Sequence, residues 1–429
     1  NAPGAQACED TVANDCSLRG AISRANNDLS SAYTITVPAG TYILTLDDAA
    51  GSENANAEDD LDVLASVTIE GAGADATFIQ GGASWASAVD RVFDVGDGVA
   101  PVQDVTLRDL GVRYGKAQTG GGHGVANNGE NVVLERVALF DNDQPNFAGA
   151  IGGAVYGYNS SVLEVIDSAF TNNNADYYGF NGCGGAIRIE TGNTLNVTRS
   201  TFTGNGSNVW NGGAICAIGS ATITASTFTN NYALAGGGAI STENQQVTIE
   251  RNTFVLNNAD SGGAIHSNAT RVDIINNTFY ANTATNAGAI DIRMGDGYIV
   301  NSTFAANQAS NVADAFQEQT PNGGNLYIVN SIISGFSGQD TCHGSYTDEG
   351  GNVAYNATDC AGDTTADPRL QALADNGGPT QTMALATGSA ALNLGVAADC
   401  PAIDQRGVVR AAGNCDSGAY EGSVALANT

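Results

Sequence analysis

A short phrase recurs along the middle of the chain at a nearly constant interval, and it constrains the fold more than any other feature. Gly-Gly-Ala followed by Ile or Val starts at residues 152, 184, 212, 237 and 262, and Ala-Gly-Ala-Ile starts at 287. Between these phrases stands Phe-x-x-Asn, which starts at residues 170, 202, 228, 254, 279 and 304. A period of about 25 residues is typical of solenoids, propellers and repeat arrays.

The repeated unit has the composition of β-strands rather than helices. In residues 246–250 and 271–275, apolar and polar residues mostly alternate and β-branched side chains are frequent. A coil of this length accommodates two or three short strands and their turns, at about 3.3 Å per residue. Stacked coils would place Phe on Phe and Ile on Ile, and the Asn side chains would hydrogen-bond along the stack. We therefore predict an all-β fold, a right-handed parallel β-helix.

The two ends of the chain depart from the repeat, and this predicts three regions. Residues 1–30 contain a stretch with Leu18 and Ile22 on one helical face and Ser17 before it as a cap. We expect a short helix there that covers the first coil. Residues 31–335 are predicted to form the β-helix, and residues 336–429 an irregular, disulfide-stapled C-terminal end piece.

Eight cysteines predict disulfide bonds and an oxidising, extracellular setting. Three pairs are close in sequence and are expected to form local bridges: Cys8 with Cys16, Cys342 with Cys360, and Cys400 with Cys415. Cys183 and Cys216 lie in consecutive coils at different places in the repeat, so the sequence leaves their pairing open. The chain begins with Asn-Ala-Pro-Gly, and we expect it to be a mature form.

The charge balance indicates which partners to expect. The chain has 45 acidic and 15 basic residues, a formal net charge of −30. Such a surface repels nucleic acids and anionic membranes, so neither is expected as a partner. No run of 18 apolar residues is present, and no membrane insertion is expected.

Several motifs resemble those of known secreted families. Residues 16–22 (CSLRGAI) with Ala25-Asn26 resemble the N-terminal CSLREA segment of secreted bacterial proteins, with Gly20 where that pattern has Glu. The Gly-Gly-Ala-Ile and Phe-x-x-Asn phrases are similar to those of the polymorphic outer-membrane protein family. Residues 375–380, 404–407 and 415–421 resemble the choice-of-anchor Q domain. These resemblances imply a secreted or cell-surface β-helix, often adhesive.

One group of side chains suggests catalysis. Side chains along a strand point alternately to its two faces, so each Ile that ends a glycine phrase is predicted to point inward and the next residue outward. The aligned coils then place four candidates on one outer face: Glu243, His266, Asp291 and Arg293. Such a set suits acid–base or metal-assisted chemistry. The alternative is a solvated column with charge pairs between coils. Gly-His-Gly around His123 resembles a motif of pectin-hydrolysing β-helices, but His123 stands where the repeat normally has Ala or Ile, so we interpret it as a variant corner.

Two further groups suggest binding. Glu58, Asp59, Asp60 and Asp62 form an acidic cluster whose oxygens suit calcium, although a solvated acidic loop is the other interpretation. Aromatic residues in adjacent long coils would form a platform for a sugar or a protein, unless the loops pack on themselves. They are Tyr156, Tyr158, Tyr177, Tyr178 and Trp210.

Three functions follow as hypotheses. The first is a non-enzymatic extracellular protein, structural or adhesive, whose partners are surface glycans, other proteins or copies of itself joined head to tail into a fibre or sheath. The second is a polysaccharide lyase or glycoside hydrolase of the pectate-lyase-like β-helix type, acting at residues 241–293. The third is a calcium-dependent carbohydrate-binding protein. No cofactor is required by the first hypothesis, and calcium is the ion expected by the third.

Overall fold

The computed structural model describes residues 8, 16–46, 56–99, 101–117, 120–143, 150–175, 182–208, 210–319, 324–336 and 340–422. The chain divides into two compact units, residues 1–220 and 221–429. The described residues contain one α-helix, and no helix among them has the length and apolar character needed to cross a membrane.

The first unit contains the helix and 21 strands in the described residues. In chain order they are α1 (Leu18–Asn26), β1 (Tyr33–Thr36), β2 (Gly40–Ile43), β3 (Leu61–Val63), β4 (Val67–Glu70), β5 (Thr77–Gln80), β6 (Phe93–Val95), β7 (Asp104–Arg108), β8 (Gly111–Arg113), β9 (Gly120–Gly121), β10 (Val125–Asn128), β11 (Asn131–Glu135), β12 (Ala138–Phe140), β13 (Ala150–Ile151), β14 (Val155–Tyr158), β15 (Val162–Ile166), β16 (Ala169–Thr171), β17 (Ile187–Ile189), β18 (Thr194–Thr198), β19 (Thr201–Thr203), β20 (Gly206–Ser207) and β21 (Ile215–Ala217).

The second unit holds the remaining strands, the first of which begins at its boundary. They are β22 (Ser220–Thr224), β23 (Thr227–Thr229), β24 (Tyr232–Ala233), β25 (Ile240–Glu243), β26 (Gln246–Glu250), β27 (Thr253–Val255), β28 (Asn258–Ser261), β29 (Ile265–Asn268), β30 (Arg271–Ile275), β31 (Thr278–Tyr280), β32 (Thr283–Asn286), β33 (Ile290–Ile292), β34 (Asp296–Val300), β35 (Thr303–Ala305), β36 (Gln308–Val312), β37 (Phe316–Glu318), β38 (Leu326–Val329), β39 (Ile332–Ser334), β40 (Cys342–His343), β41 (Tyr346–Asp348), β42 (Val353–Tyr355), β43 (Leu370–Ala374) and β44 (Thr382–Leu385).

Most of these strands belong to three long parallel sheets, which we name A, B and C. In the described residues sheets A and B have 12 strands each and sheet C has 11. Each coil contributes one strand to each sheet: β25 lies in sheet C, β26 in sheet A and β27 in sheet B. A two-stranded sheet, sheet D, pairs β9 with β13, and sheet E contains five short strands and ends with β32 and β36. The predicted parallel β-helix is confirmed.

The interior consists of ladders of identical side chains, as the repeat predicted. In the second unit the rings of Phe228, Phe254, Phe279 and Phe304 stack with centroids 4.8–5.0 Å apart. Ile240, Ile265 and Ile290 are paired in register and fully buried. Stacking identical apolar side chains lets each coil bury its apolar face only against its neighbours.

An asparagine ladder runs beside the phenylalanines. The Nδ2 of Asn257 donates to the carbonyl oxygen of Phe228 in the preceding coil and to Oδ1 of Asn282 in the next. The Nδ2 of Asn282 repeats this pattern with Phe254 and Asn307. These side chains satisfy buried backbone acceptors at the turn after each Phe, which is why the Phe-x-x-Asn phrase recurs.

The N-terminal helix forms where the sequence predicted it. The hydroxyl of Ser17 accepts the backbone N–H of Gly20 at 3.0 Å and caps α1, and Ile22 on its inner face is fully buried. Asn26 at its last turn donates to the carbonyl of Asp62 in β3 and accepts from the N–H of Leu64. The helix is thus hydrogen-bonded to the first coil.

The C-terminal segment, residues 367–421, binds back onto the coils of the second unit. Its Gln405 bonds two threonines that begin successive strands of sheet B: Nε2 donates to Thr253 at 2.8 Å, and Oε1 accepts from Thr278 at 2.6 Å. Asn276 and Asn301, at the corners before sheet B, donate to carbonyls of this segment at Ile403 and Asp416. The segment therefore lies along one corner of several coils.

Four disulfides join all eight cysteines. The three expected local pairs are present: Cys8–Cys16, Cys342–Cys360 and Cys400–Cys415. Cys183 and Cys216, whose pairing the sequence left open, are also bonded. This bridge connects neighbouring coils of the first unit across 33 residues. Disulfides persist in oxidising compartments, which agrees with the extracellular setting expected from the sequence.

Candidate functional site

The repeat brings three of the four candidate catalytic side chains into one bonded cluster. Strand pairing aligns His266 with Asp291 on neighbouring coils of sheet C. The Nδ1 of His266 lies 3.1 Å from Oδ2 of Asp291, and Arg293 donates to the same oxygen through Nε at 2.8 Å. On the other side of the ring, Nδ2 of Asn268 lies 3.3 Å from Nε2 of His266.

The prediction that this column faces solvent was wrong. His266 is 5% exposed, and Asp291 is fully buried. The segment around sheet E lies over the column: Arg293 donates to Oγ of Ser261 in β28, and a Cβ added to Gly236 would lie 2.7 Å from Cγ of His266. The sequence did not predict this covering segment, because β28 (Asn258–Ser261) lacks the alternation of apolar and polar residues that indicates a strand.

Ser241 precedes His266 in the same column, so serine, histidine and aspartate stand on successive coils. This order has the residue types of a nucleophilic triad. Ser241 is fully buried, however, and its Oγ has no hydrogen-bond partner. A polymeric substrate has no route to this hydroxyl. The cluster holds neighbouring coils together through buried hydrogen bonds.

Glu243 is the candidate that does not join the cluster. It ends β25 and is half-buried, aligned with Asn268 on the next coil. Arg293 reaches outward from Asp291, with 42% of its side chain exposed. Of the four candidates, Glu243 and Arg293 are therefore the two with solvent access, and Arg293 alone of these two belongs to the bonded cluster.

The acidic stretch at residues 58–62 turns its backbone toward an arginine of the N-terminal helix. The guanidinium of Arg19 donates to the carbonyls of Glu58 at 2.9 Å, Asp59 at 2.7 Å and Asp60 at 2.5 Å. Oδ1 of Asn56 is a further acceptor at 3.2 Å. These oxygens would suit a cation, and here the cation is a side chain of the same chain.

The buried carboxylates of this stretch meet a second arginine. Arg91 lies 3.4 Å from Oδ2 of Asp60 and donates to Oδ2 of Asp94 at 2.9 Å. Burial raises the pKa of Asp60 to about 9, against the opposing effect of Arg91, and Asp94 and Asp62 raise it further. Burial also raises the pKa of Asp94. A neutral Asp60 reduces the repulsion within this cluster.

The predicted calcium residues do not form one ligand set. Glu58 is exposed, whereas Asp59, Asp60 and Asp62 are buried, and Asp62 accepts the backbone N–H of Asn56. Across the described part of the chain, no three His, Cys, Asp or Glu side chains are grouped as a metal ion would require. Calcium binding stays a prediction.

The aromatic candidates form a partly exposed pair. The rings of Tyr156 and Tyr158 in β14 stack with centroids 5.0 Å apart, and both residues are half-buried. The hydroxyl of Tyr156 donates to Oε1 of Glu190 at 3.2 Å, and Arg188 bonds the same carboxylate. Trp210 is 40% exposed. Tyr177 and Tyr178 lie outside the described residues.

His123 belongs to the structure rather than to a reactive site. Strand pairing of Val125 with Val155 aligns His123 with Gly153, the second glycine of the phrase, and not with the Ala or Ile that the sequence suggested. It is 1% exposed, and its Nδ1 accepts the N–H of Ala117. Burial lowers its pKa to about 3, with a further contribution from Arg91, so the ring is neutral.

Sequence reasoning missed Arg19 and Arg91 as the partners of the acidic stretch. The scarcity of basic residues was the available signal: with 15 basic and 45 acidic residues, each arginine near an acidic stretch is a candidate partner. A buried carboxylate cluster requires a cation nearby. The sequence also did not show that Glu190 links Tyr156 and Arg188.

Comparison with known proteins gives one local match. A family model described as the Chlamydia polymorphic membrane protein repeat matches residues 225–243, which include Phe228, Asn231 and the phrase at 237–240. No curated protein and no solved structure matches the chain. The similarity to polymorphic outer-membrane protein repeats is thus supported for this stretch, whereas the resemblances to CSLREA proteins and to the choice-of-anchor Q domain stay predictions. Within a parallel β-helix, the chain therefore contains one stretch, residues 225–243, that is similar to the polymorphic membrane protein repeat.

Proposed function

We propose that this chain is an extracellular surface protein with a structural or adhesive role, and that it contacts glycans through Tyr156 and Tyr158. A parallel β-helix with repeats of the polymorphic membrane protein type fits a surface protein in general. The observation that carries the adhesive role is the stacked, half-buried tyrosine pair with Glu190 and Arg188 at its side. Aromatic faces pack against sugar rings, while charged neighbours orient the hydroxyl groups.

The burial of the candidate catalytic cluster favours this function over a lyase or hydrolase. His266 and Asp291 are bonded to each other beneath the segment that contains Ser261, so the acid–base groups do not reach a polysaccharide. The tyrosine pair, by contrast, retains exposed surface on a regular sheet. Binding without turnover is the expected behaviour.

A glycan array and a cell-binding assay test the adhesive role. The double variant Tyr156→Ala/Tyr158→Ala is expected to bind its best glycan at least about tenfold more weakly, a loss of about 1.4 kcal/mol. The matched control is Tyr298→Ala/Tyr327→Ala, which removes another stacked tyrosine pair, with centroids 4.9 Å apart, from sheet A. Absence of binding to every glycan and cell surface, or equal loss in both variants, would contradict the proposal.

Two further measurements separate the structural and enzymatic alternatives. Electron microscopy of the concentrated protein is expected to show fibres or sheets if chains join head to tail, and dispersed particles if the role is adhesion alone. Incubation with uronate-containing and neutral polysaccharides, with and without calcium, is expected to release no product. Product release abolished by His266→Ala in a folded variant would establish the enzymatic alternative instead.

A further inference from the structure

The second glycine of the repeated phrase is required by close packing, and one coil of the second unit breaks this rule. A Cβ added to Gly288 would lie 2.5 Å from the carbonyl oxygen of Asp314 and 2.7 Å from the backbone nitrogen of Gln308. The backbone bonds from Gly288 to Ala313 and from Ala289 to Ala315 align Asp314 with Gly288. An aspartate therefore takes a position where the preceding coils tolerate only hydrogen.

The side chain fits because no described strand of sheet E follows β36. An added Cβ at Gly238 would meet β28, one at Gly263 would meet β32, and one at Gly288 would meet β36. Among the described residues β36 is the last strand of this sheet, and β32 is its partner. Oδ1 of Asp314 accepts the outward N–H of Ala309 in this strand at 2.8 Å.

A cavity of about 430 Å³ lies beside this last strand. Its lining includes Thr283, Gln308, Ser310, Asp314 and Phe336. Asp314 is 4% exposed, and its Oδ2 is buried with no hydrogen-bond partner. The ring of Phe336 is 40% exposed. The cavity thus combines an unused carboxylate oxygen with an accessible aromatic face.

The charges around the cavity indicate what it would bind. Burial raises the pKa of Asp314, and the nearby carboxylates of Asp359 and Asp340 raise it further. A positively charged hydrogen-bond donor would counter both the cost of burying the carboxylate and its repulsion by Asp359 and Asp340. Such a donor pairs with the carboxylate and neutralises the local excess of negative charge. An aromatic ring beside the carboxylate is also a favourable neighbour for an ammonium or guanidinium group.

We propose that this cavity binds an extended basic peptide segment of a partner protein. One lysine or arginine side chain donates to Oδ2 of Asp314 and lies against Phe336, while the segment runs along β36 as an added strand. The edge of a sheet favours a peptide over an amino sugar, because backbone groups recognise an extended chain. The net charge of −30 favours a basic partner over a second copy of this chain. This site is separate from the tyrosine pair, so either proposal can fail without the other.

Fluorescence anisotropy with two labelled peptides tests the site. One peptide is acetyl-Thr-Val-Lys-Val-Thr-amide, and the other has glutamine in place of lysine. The Asp314→Asn variant keeps an oxygen for the N–H of Ala309 but loses the charge, and it is expected to bind the lysine peptide about tenfold more weakly. The control Asp260→Asn makes the same charge change at an exposed position in β28 and is expected to bind like the unmodified chain.

Two further measurements test the site even if the Asp314→Asn variant does not fold. Phe336→Ala changes an exposed side chain and is expected to weaken lysine-peptide binding about threefold. Hydrogen exchange of the unmodified chain is expected to slow at residues 308–312 when the peptide is bound. Equal binding of both peptides, or equal loss with Asp260→Asn, would mean general attraction to a negative surface and would overturn the proposal. Binding of glucosamine oligomers without binding of the lysine peptide would overturn it as well.

Discussion

The guanidinium of Arg410 donates a hydrogen bond of 2.6 Å to Oδ1 of Asn276, a residue 134 positions earlier in the chain. Both side chains are buried, and Arg410 also bonds Glu421 at 2.9 Å and the carbonyl of Gly418 at 2.8 Å. Arg410 therefore connects two parts of the C-terminal segment to a corner of the β-helix. Burial lowers its pKa, against the opposing effect of Glu421.

Replacing Arg410 should detach the C-terminal segment from the coils. Arg410→Met is expected to lower the free energy of unfolding by about 3–5 kcal/mol, because it leaves Glu421 as an unpaired buried charge. Limited proteolysis should then cleave within residues 367–421 faster than in the unmodified chain. Arg369→Met, which removes an exposed arginine of the same segment, is the control and should leave cleavage unchanged. Equal protection in both variants would show that Arg410 does not hold the segment.

The asparagine ladder should be as important for stability as the phenylalanine stack. Asn257→Ala removes the two bonds that Nδ2 of Asn257 donates and the two that its Oδ1 accepts from the backbone N–H and Nδ2 of Asn231. A loss of about 2–4 kcal/mol is expected, since each unsatisfied buried group costs about 1–3 kcal/mol. Urea unfolding measures this loss in the free energy of unfolding. The neighbouring variant Asn258→Ala affects an exposed side chain and should cost under about 1 kcal/mol. Similar costs for both would contradict a structural role of the ladder.

The repeat made the core predictable, because identical phrases at a fixed period must stack. Phe254, Ile265 and Asn257 were placed in their ladders from sequence alone. The attachment of the C-terminal segment was not predictable, because Gln405 contacts threonines 127 and 152 residues away and no local pattern encodes such a contact.

Three of the four candidate residues were correctly predicted to lie together, but their exposure was not predicted. Alternation correctly aligned His266 with Asp291, since pairing between coils follows from the period. Whether an outward residue meets water depends on what covers the sheet, and the strands of sheet E are too short and too polar to be recognised. Asp314 shows that a departure from the second glycine is informative, because an added Cβ at Gly238, Gly263 or Gly288 would meet a strand of sheet E.

Asp291 should contribute to stability rather than to catalysis. Asp291→Asn removes the charge that pairs with Arg293 and His266, and it is expected to lower the free energy of unfolding by about 1–3 kcal/mol. Glu243→Ala, at the half-buried end of β25, should change stability by under about 1 kcal/mol. Urea midpoints of both variants, measured beside polysaccharide-cleavage assays, test this. Unchanged stability of Asp291→Asn together with lost cleavage would restore the catalytic interpretation.

Asp60 should make the protein less stable as the pH rises. Its pKa is about 9 in the folded state and 3.8 ordinarily, so between these values the folded chain holds a proton that the unfolded chain has released. Stability therefore falls with increasing pH across this window and levels off above pH 9. Asp60→Asn mimics the neutral carboxyl, and it is expected to raise the melting temperature more at pH 9 than at pH 5. Asp75→Asn makes the same change on an exposed residue, and its melting temperature should follow that of the unmodified chain at both pH values. If Asp60→Asn lowers stability at pH 9, the ionised carboxylate is required as the partner of Arg91, and the buried cluster is an ion pair rather than a protonated acid.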